Sequence, residues 1–256
     1  MTHTFPLLLL IALLTCNAAY AGQDINKDLW IAAREGRIAG AQSALFAGAD
    51  ANTVNGAGRT PLMGAASAGN ANMVDLLLAE GADVNIADKN GYTALMAAAA
   101  AGRENVCQLL LMRGAPVNAK AKDGATALLG AAASGRIETV RVLLTHGADP
   151  NSKNAEDVTA LHIATSMNNK DVAALLVARG ADVNAKSKDN ATPLIQAAFH
   201  GNQAIAKMLI VRGADIKAAT TGGVTAELAA KTSNQEGFAE FLEKTAQEVG
   251  PSGAAK

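Results

Sequence analysis

One interval governs this chain. Gly-Ala recurs at Gly48, Gly81, Gly114, Gly147, Gly180 and Gly213, and every step is 33 residues. A threonine recurs with the same step, at Thr60, Thr93, Thr126, Thr159, Thr192 and Thr225. Two independent markers locked to one period in this range signal a solenoid of stacked units, in which no unit buries its apolar face alone.

Each unit can be read from its local chemistry. Thr60-Pro61-Leu62 and Thr192-Pro193-Leu194 place a hydroxyl N-cap before a proline at the first helical position. A short inner helix follows, carrying alanine pairs such as Ala65-Ala66 and Ala131-Ala132 that allow close helix approach. It ends at Gly69, Gly102, Gly135, Asn168 and Gly201, residue types that tolerate a left-handed C-cap.

An outer helix comes next, with core columns expected at Leu77, Leu110, Leu143, Leu176, Leu209 and Leu242 and, beside them, Leu76, Leu109, Val142, Leu175, Met208 and Phe241. Arg113, His146, Arg179 and Arg212 sit at its end, where a cation suits the helix dipole. An extended segment runs to Asn52, Asn85, Asn118, Asn151 and Asn184, and a turn with Gly, Asn or Asp two residues before the next Thr closes the unit. Helices this short are marginal alone, below about 12–15 residues, so stacking must stabilise them.

These residues resemble the ankyrin repeat. Thr159-Ala160-Leu161-His162-Ile163-Ala164 is close to the family's T-P-L-H-x-A run, and Val74-Asp75-Leu76-Leu77 with Gly81-Ala82-Asp83-Val84-Asn85 matches its outer helix and exit. The resemblance implies an all-α solenoid of helix-turn-helix units with hairpin-like turns. Register divides residues 22–248 into seven units: a cap at 24–54, then 55–87, 88–120, 121–153, 154–186 and 187–219, and a second cap at 220–248. The last unit departs from the pattern, with Glu227 in place of a leucine and Glu243 on a column that carries Leu, Ile or Val in the earlier units, as a solvent-facing end requires. Residues 249–256 read as a tail.

The beginning of the chain reads as an address. Phe5 to Leu14 is an apolar run of ten residues, too short for a bilayer-spanning helix, which needs about 20. Ala19-Tyr20-Ala21 forms an A-x-A cleavage site, so residues 1–21 are expected to be a signal peptide with Gly22 opening the mature chain. A bacterial periplasmic or secreted protein is the expectation. Leu13-Leu14-Thr15-Cys16 offers the alternative of a lipobox, with lipidated Cys16 tethering the protein to the envelope. Past the cleavage site only Cys107 remains, so no intrachain disulfide can form. It aligns with Val74 and Val140 and is expected to be a small buried hydrophobe.

Chemistry is sparse. No P-loop, G-x-S-x-G or H-E-x-x-H pattern occurs, and His146, His162 and His200 share no metal-ligand spacing. No enzyme, metal or cofactor is expected. Asp50, Asp83, Asp149, Asp182 and Asp215 repeat with the period and read as turn chemistry, because a catalytic site is single and local. His162 stands on the family's T-P-L-H position, where the resemblance implies a structural hydrogen bond to a nearby repeat. A net charge of −1 and 3% aromatic residues exclude a polycationic or base-stacking surface for nucleic acid.

A binding module for a protein partner, monomeric and without a membrane segment after cleavage, is therefore expected. An effector secreted to act on host proteins is a further alternative. The resemblance places binding on the concave face, at columns that vary from unit to unit. These columns give, at the turn tips, Arg59, Lys89, Asn90, Tyr92, Lys122, Asp123, Glu156, Val158, Lys188 and Asp189, and at the end of the inner helices Met167, Phe199 and His200. Aromatic and arginine anchors commonly dominate interface energy, which singles out Tyr92, Phe199 and Arg59. Lys120, Lys153 and Lys186 form a ladder one repeat apart, largely cancelled by the interleaved acids.

Overall fold

The computed structural model describes residues 24–248. Among these it contains fourteen helices and no strand. They fall into two compact units, divided in the chain between Pro116 and Val117.

The first unit, 24–116, holds three helix pairs: α1 (Ile25–Glu35) with α2 (Ile38–Phe46), α3 (Pro61–Ala68) with α4 (Ala71–Ala79), and α5 (Ala94–Ala100) with α6 (Glu104–Met112). The second, 117–248, holds four: α7 (Ala127–Ser134) with α8 (Ile137–Thr145), α9 (Ala160–Ser166) with α10 (Lys170–Ala178), α11 (Pro193–Phe199) with α12 (Gln203–Val211), and α13 (Ala226–Thr232) with α14 (Glu236–Glu248). Within each unit, inner helices pack on inner helices and on their own outer partners. This is an all-helical repeat solenoid.

The threonines act as the sequence implies. Each of the six accepts a hydrogen bond on its hydroxyl from the backbone N–H three residues on, as Thr60 does from Met63 at 3.3 Å and Thr225 from Leu228 at 3.2 Å. The first repeat, 24–54, has no such threonine. There Asp24 caps α1, accepting from the Lys27 N–H at 3.1 Å. The inner helices then stop on left-handed residues, including Asn168 at φ 56°.

Turn tips need the same region for a steric reason as well. A Cβ on Gly124 would lie 2.9 Å from the backbone of Asn154 and Ala155 in the next tip.

The core sits where inner and outer helices meet. Leu77, Leu110, Leu143, Leu176, Leu209 and Leu242 are fully buried. The expected companion column is not core: Leu76, Leu109, Val142, Leu175 and Met208 are only half-buried and Phe241 is exposed. Adjacent helix positions point about 100° apart, so two neighbouring leucines cannot both face inward. The second core row lies three and four residues before the first, at Val74, Cys107, Val140, Ala173 and Ala206 and at Met73, Val106, Thr139, Val172 and Ile205. Thr139 is the one hydroxyl on that row, and its Oγ1 has no hydrogen-bond partner among the described residues. Cys107 is a buried free thiol. Burial, with Glu104 nearby, pushes its pKa up to about 12, so it packs as a neutral side chain.

Side-chain amides tie successive loops together. In the first unit Asn52 donates to the Gly81 carbonyl at 3.0 Å and accepts the Asp83 N–H at 2.7 Å. In the second, Asn118, Asn151 and Asn184 do the same with Gly147 and Asp149, Gly180 and Asp182, and Gly213 and Asp215. The aspartates complete the loops: Asp83 and Asp182 each accept the N–H of the residue two positions on at 2.8 Å. The Asp column is therefore occupied in turn geometry.

Candidate protein-interaction face

The face in question is made of turn tips and inner helices. Backbone hydrogen bonds fix the tips to one another: the Lys89 N–H donates to the Ala57 carbonyl at 3.1 Å in the first unit. In the second unit Ala155 donates to Asp123 (2.7 Å), Lys188 to Glu156 (3.1 Å) and Thr221 to Asp189 (2.8 Å). A tip held at both ends is a preformed surface, which lowers the ordering cost of binding.

In the second unit two grooves open on this face. One, of about 440 Å³, is lined by Asp189, Ile195, Gln196, Phe199 and His200 with Thr220, Thr221 and Val224 of the following tip. The other, of about 350 Å³, is lined by Glu156, Val158, Ile163 and Ser166 with Lys188, Asp189 and Gln196. They share Asp189, Ala191 and Gln196 and so adjoin. Six of the expected residues come together here: Glu156, Val158, Lys188, Asp189, Phe199 and His200. Phe199 is 55% exposed and meets His200 edge-on, with ring centroids 5.2 Å apart. It does not pack away against a neighbouring repeat. Lys188 pairs with Glu156 at 3.4 Å, an exposed pair worth under about 1 kcal/mol.

The other expected residues are more dispersed. Met167 is 59% exposed but lies outside both linings. Lys122 and Asp123 are exposed at their tip, where Asp123 accepts the Ala125 N–H at 3.0 Å. In the first unit Lys89 and Asn90 are exposed, while Arg59 and Tyr92 are half-buried. The Arg59 backbone carbonyl accepts from the Trp30 indole N–H at 3.2 Å. Of the lysine ladder, Lys153 donates to the Lys186 carbonyl at 3.2 Å. Ala19, Ala21, Gly22 and Cys16 lie outside the described residues.

One column and one groove on the repeats lie outside the expected positions. The column is Ile31, Gly64, Ala97, Gly130, Ile163 and Gln196, whose variation between Gly and Gln is itself the signal. The groove, about 530 Å³ in the first unit, is lined by Trp30, Ile31, Arg34 and Val54 among others, with the Arg34 guanidinium 5.3 Å from the Trp30 ring centre.

His162 is buried and contributes to the wall of the second groove. Its Nδ1 accepts from Thr159, whose N–H is 3.3 Å and whose hydroxyl is 2.8 Å away. That leaves Nε2 to donate to the Ala191 carbonyl of the next repeat at 3.0 Å. Burial holds its pKa below the ordinary value of 6.5, opposed by the Ala191 carbonyl and reinforced by Lys153. This is a neutral structural imidazole with every ring nitrogen engaged. Among the described residues no cluster of three or more His, Cys, Asp or Glu is placed to hold a metal ion, and no helix is long and apolar enough to cross a membrane.

Family models agree with this geometry. Ankyrin repeats (3 copies) match residues 29–121 and 114–187, and ankyrin repeats (many copies) match 167–210. The chain belongs to the ankyrin-repeat family. No curated protein gives a significant match over the chain. Ankyrin repeats bind protein partners and are generally non-enzymatic, and no catalytic family is indicated here. The matched ankyrin residues end at 210, so α13 and α14 extend the array beyond them.

Proposed function

We propose that this ankyrin chain is an exported, non-enzymatic, monomeric interaction module of a bacterial periplasm or the secreted space. It binds a partner protein on the face of turn tips and inner helices, the concave face of the family. The observation that carries this reading is Phe199. It is 55% exposed beside Asp189 and Gln196 in a groove, at a register position where the four preceding repeats carry Ser67, Ala100, Ala133 and Ser166. Nothing in the repeat requires a phenylalanine there, and an exposed aromatic of this size suits a partner. An interface of standard size would bury about 800 Å² on this side.

Replacing Tyr92 and Phe199 together by alanine is expected to weaken partner capture while leaving the melting temperature nearly unchanged. Loss of stability with retained capture would overturn the reading. Export is supported by the apolar run of Phe5 to Leu14 and the Ala19-Tyr20-Ala21 site, and is tested by sequencing the amino terminus of the chain recovered from the producing cell. A start at Gly22 supports it, and an intact Met1 contradicts it. A blocked, lipid-labelled Cys16 would favour the envelope-tethered alternative that Leu13-Leu14-Thr15-Cys16 suggests. Recovery only from host cytosol would favour the effector alternative.

A further inference from the structure

Within the adjoining grooves of the second unit, charge is unevenly satisfied. Three ionic side chains line them besides the histidines: Glu156, Lys188 and Asp189. Lys188 is spent on Glu156 at 3.4 Å. Asp189 has no cation within ion-pairing distance among the described residues, and its place in both linings puts the excess negative charge where the grooves meet. Gln196 shares that position, and its primary amide has no hydrogen-bond partner among the described residues. Such an amide offers two donors and an acceptor, the pattern needed to bond both polar groups of an extended backbone. Phe199 supplies an apolar wall on one side.

We infer that these grooves take a basic, extended segment of the partner protein, with a lysine or arginine seated at Asp189, an apolar side chain against Phe199, and a backbone amide on Gln196. The inference rests on the interaction-module reading above and specifies its partner's chemistry. A cation at Asp189 neutralises the excess charge, whereas an acidic segment would meet an uncompensated carboxylate. Like-charge juxtaposition of this kind is how an interface rejects wrong partners.

The test uses the purified chain and three fluorescein-labelled hexapeptides read by fluorescence anisotropy: Gly-Ser-Arg-Phe-Ser-Gly, the same peptide with Glu for Arg, and the same peptide with Ser for Phe. The Arg-Phe peptide is expected to bind at least tenfold more tightly than either control. Asp189→Asn should weaken it at least tenfold and flatten its salt dependence, and Phe199→Ala should weaken it at least tenfold at all salt concentrations. Both residues are exposed, and unchanged melting curves will verify that the variants fold. Equal binding of the Glu-Phe peptide, indifference to Asp189→Asn, or no binding of the Arg-Phe peptide at millimolar concentration would overturn the inference. If a photo-crosslinker at position 199 still captures a protein in that case, only the basic-segment inference falls. If it captures none, the interaction face itself is wrong.

Discussion

The side-chain amide of Asn85 donates to Asp83 Oδ1 at 3.1 Å, inside its own loop. Its counterparts Asn52, Asn118, Asn151 and Asn184 instead reach a glycine carbonyl 29 residues on, at 2.9–3.0 Å. The cause is Pro116. Where the other loops carry an aspartate whose N–H donates to the asparagine, proline has no N–H to give. One rung of the amide ladder is therefore missing from the first unit.

Asn151→Ala and Asn85→Ala should differ sharply in consequence. The first removes two inter-loop hydrogen bonds, to Gly180 and from Asp182, at a cost of about 1–3 kcal/mol. The second removes only a local contact and should stay within about 0.5 kcal/mol. Urea titration of the two variants checks this, and equal losses would contradict the ladder.

Pro116→Asp should restore the rung. The new N–H can donate to Asn85 Oδ1 and free its amide for the Gly114 carbonyl. The gain of about 1–3 kcal/mol from two bonds is partly offset by the looser unfolded chain, at about 0.4–1 kcal/mol. A higher urea midpoint is expected, and a lower one would mean the loop cannot adopt the geometry of its neighbours.

His162 makes stability depend on pH in a definite direction. Its pKa in the folded chain is lowered by burial, so the unfolded chain takes up the proton first. The stabilisation is complete above the ordinary value of 6.5 and declines as pH falls below it, by at most about 1.36 kcal/mol per pH unit for one proton. His162→Leu copies Leu129 at the same register position. It should lose about 0.5–1.5 kcal/mol at pH 8 with the bond to Ala191, then close the gap to the parent as pH drops below 6.5. A gap that stays constant from pH 8 to pH 5 would contradict a neutral buried imidazole.

Thr139→Val should stabilise the chain by about 1 kcal/mol. The Thr139 hydroxyl is buried without a partner among the described residues, in a column filled by Met73, Val106, Val172 and Ile205. Valine keeps the shape and removes the desolvated polar group. A lower melting temperature would show that the hydroxyl is satisfied after all.

The fold was legible because its determinants are local and repeated. A threonine followed by a helix, or an asparagine at φ 58° in a turn as at Asn190, is decided by the chemistry of a few adjacent atoms. Six copies of each signal made the register unambiguous. The neighbouring leucines were harder: Leu76 and Leu77 look alike in sequence, and only the angle to the next helix separates half-buried from buried. The site was partly legible. Phe199 and Asp189 stood out because their columns vary, but the groove they share is completed by Thr220, Thr221 and Val224 from the following tip, a contact between repeats that no single repeat displays. Gln196 was hidden for a different reason: Gly64, Ala97 and Gly130 leave much of its column without a side chain large enough to mark a contact. The Trp30 groove lies against the first repeat, which lacks the threonine marker.

The most direct test of the interaction face compares two exposed positions on opposite elements of the repeat 187–219. A photo-crosslinking amino acid is placed at Phe199, at the end of inner helix α11, or at Val211, 82% exposed at the end of outer helix α12, and irradiated in the producing cell before mass spectrometry. Position 199 should yield one discrete protein adduct that position 211 does not. Adducts at 211 alone, or the same adducts from both, would contradict a partner bound on the face of tips and inner helices.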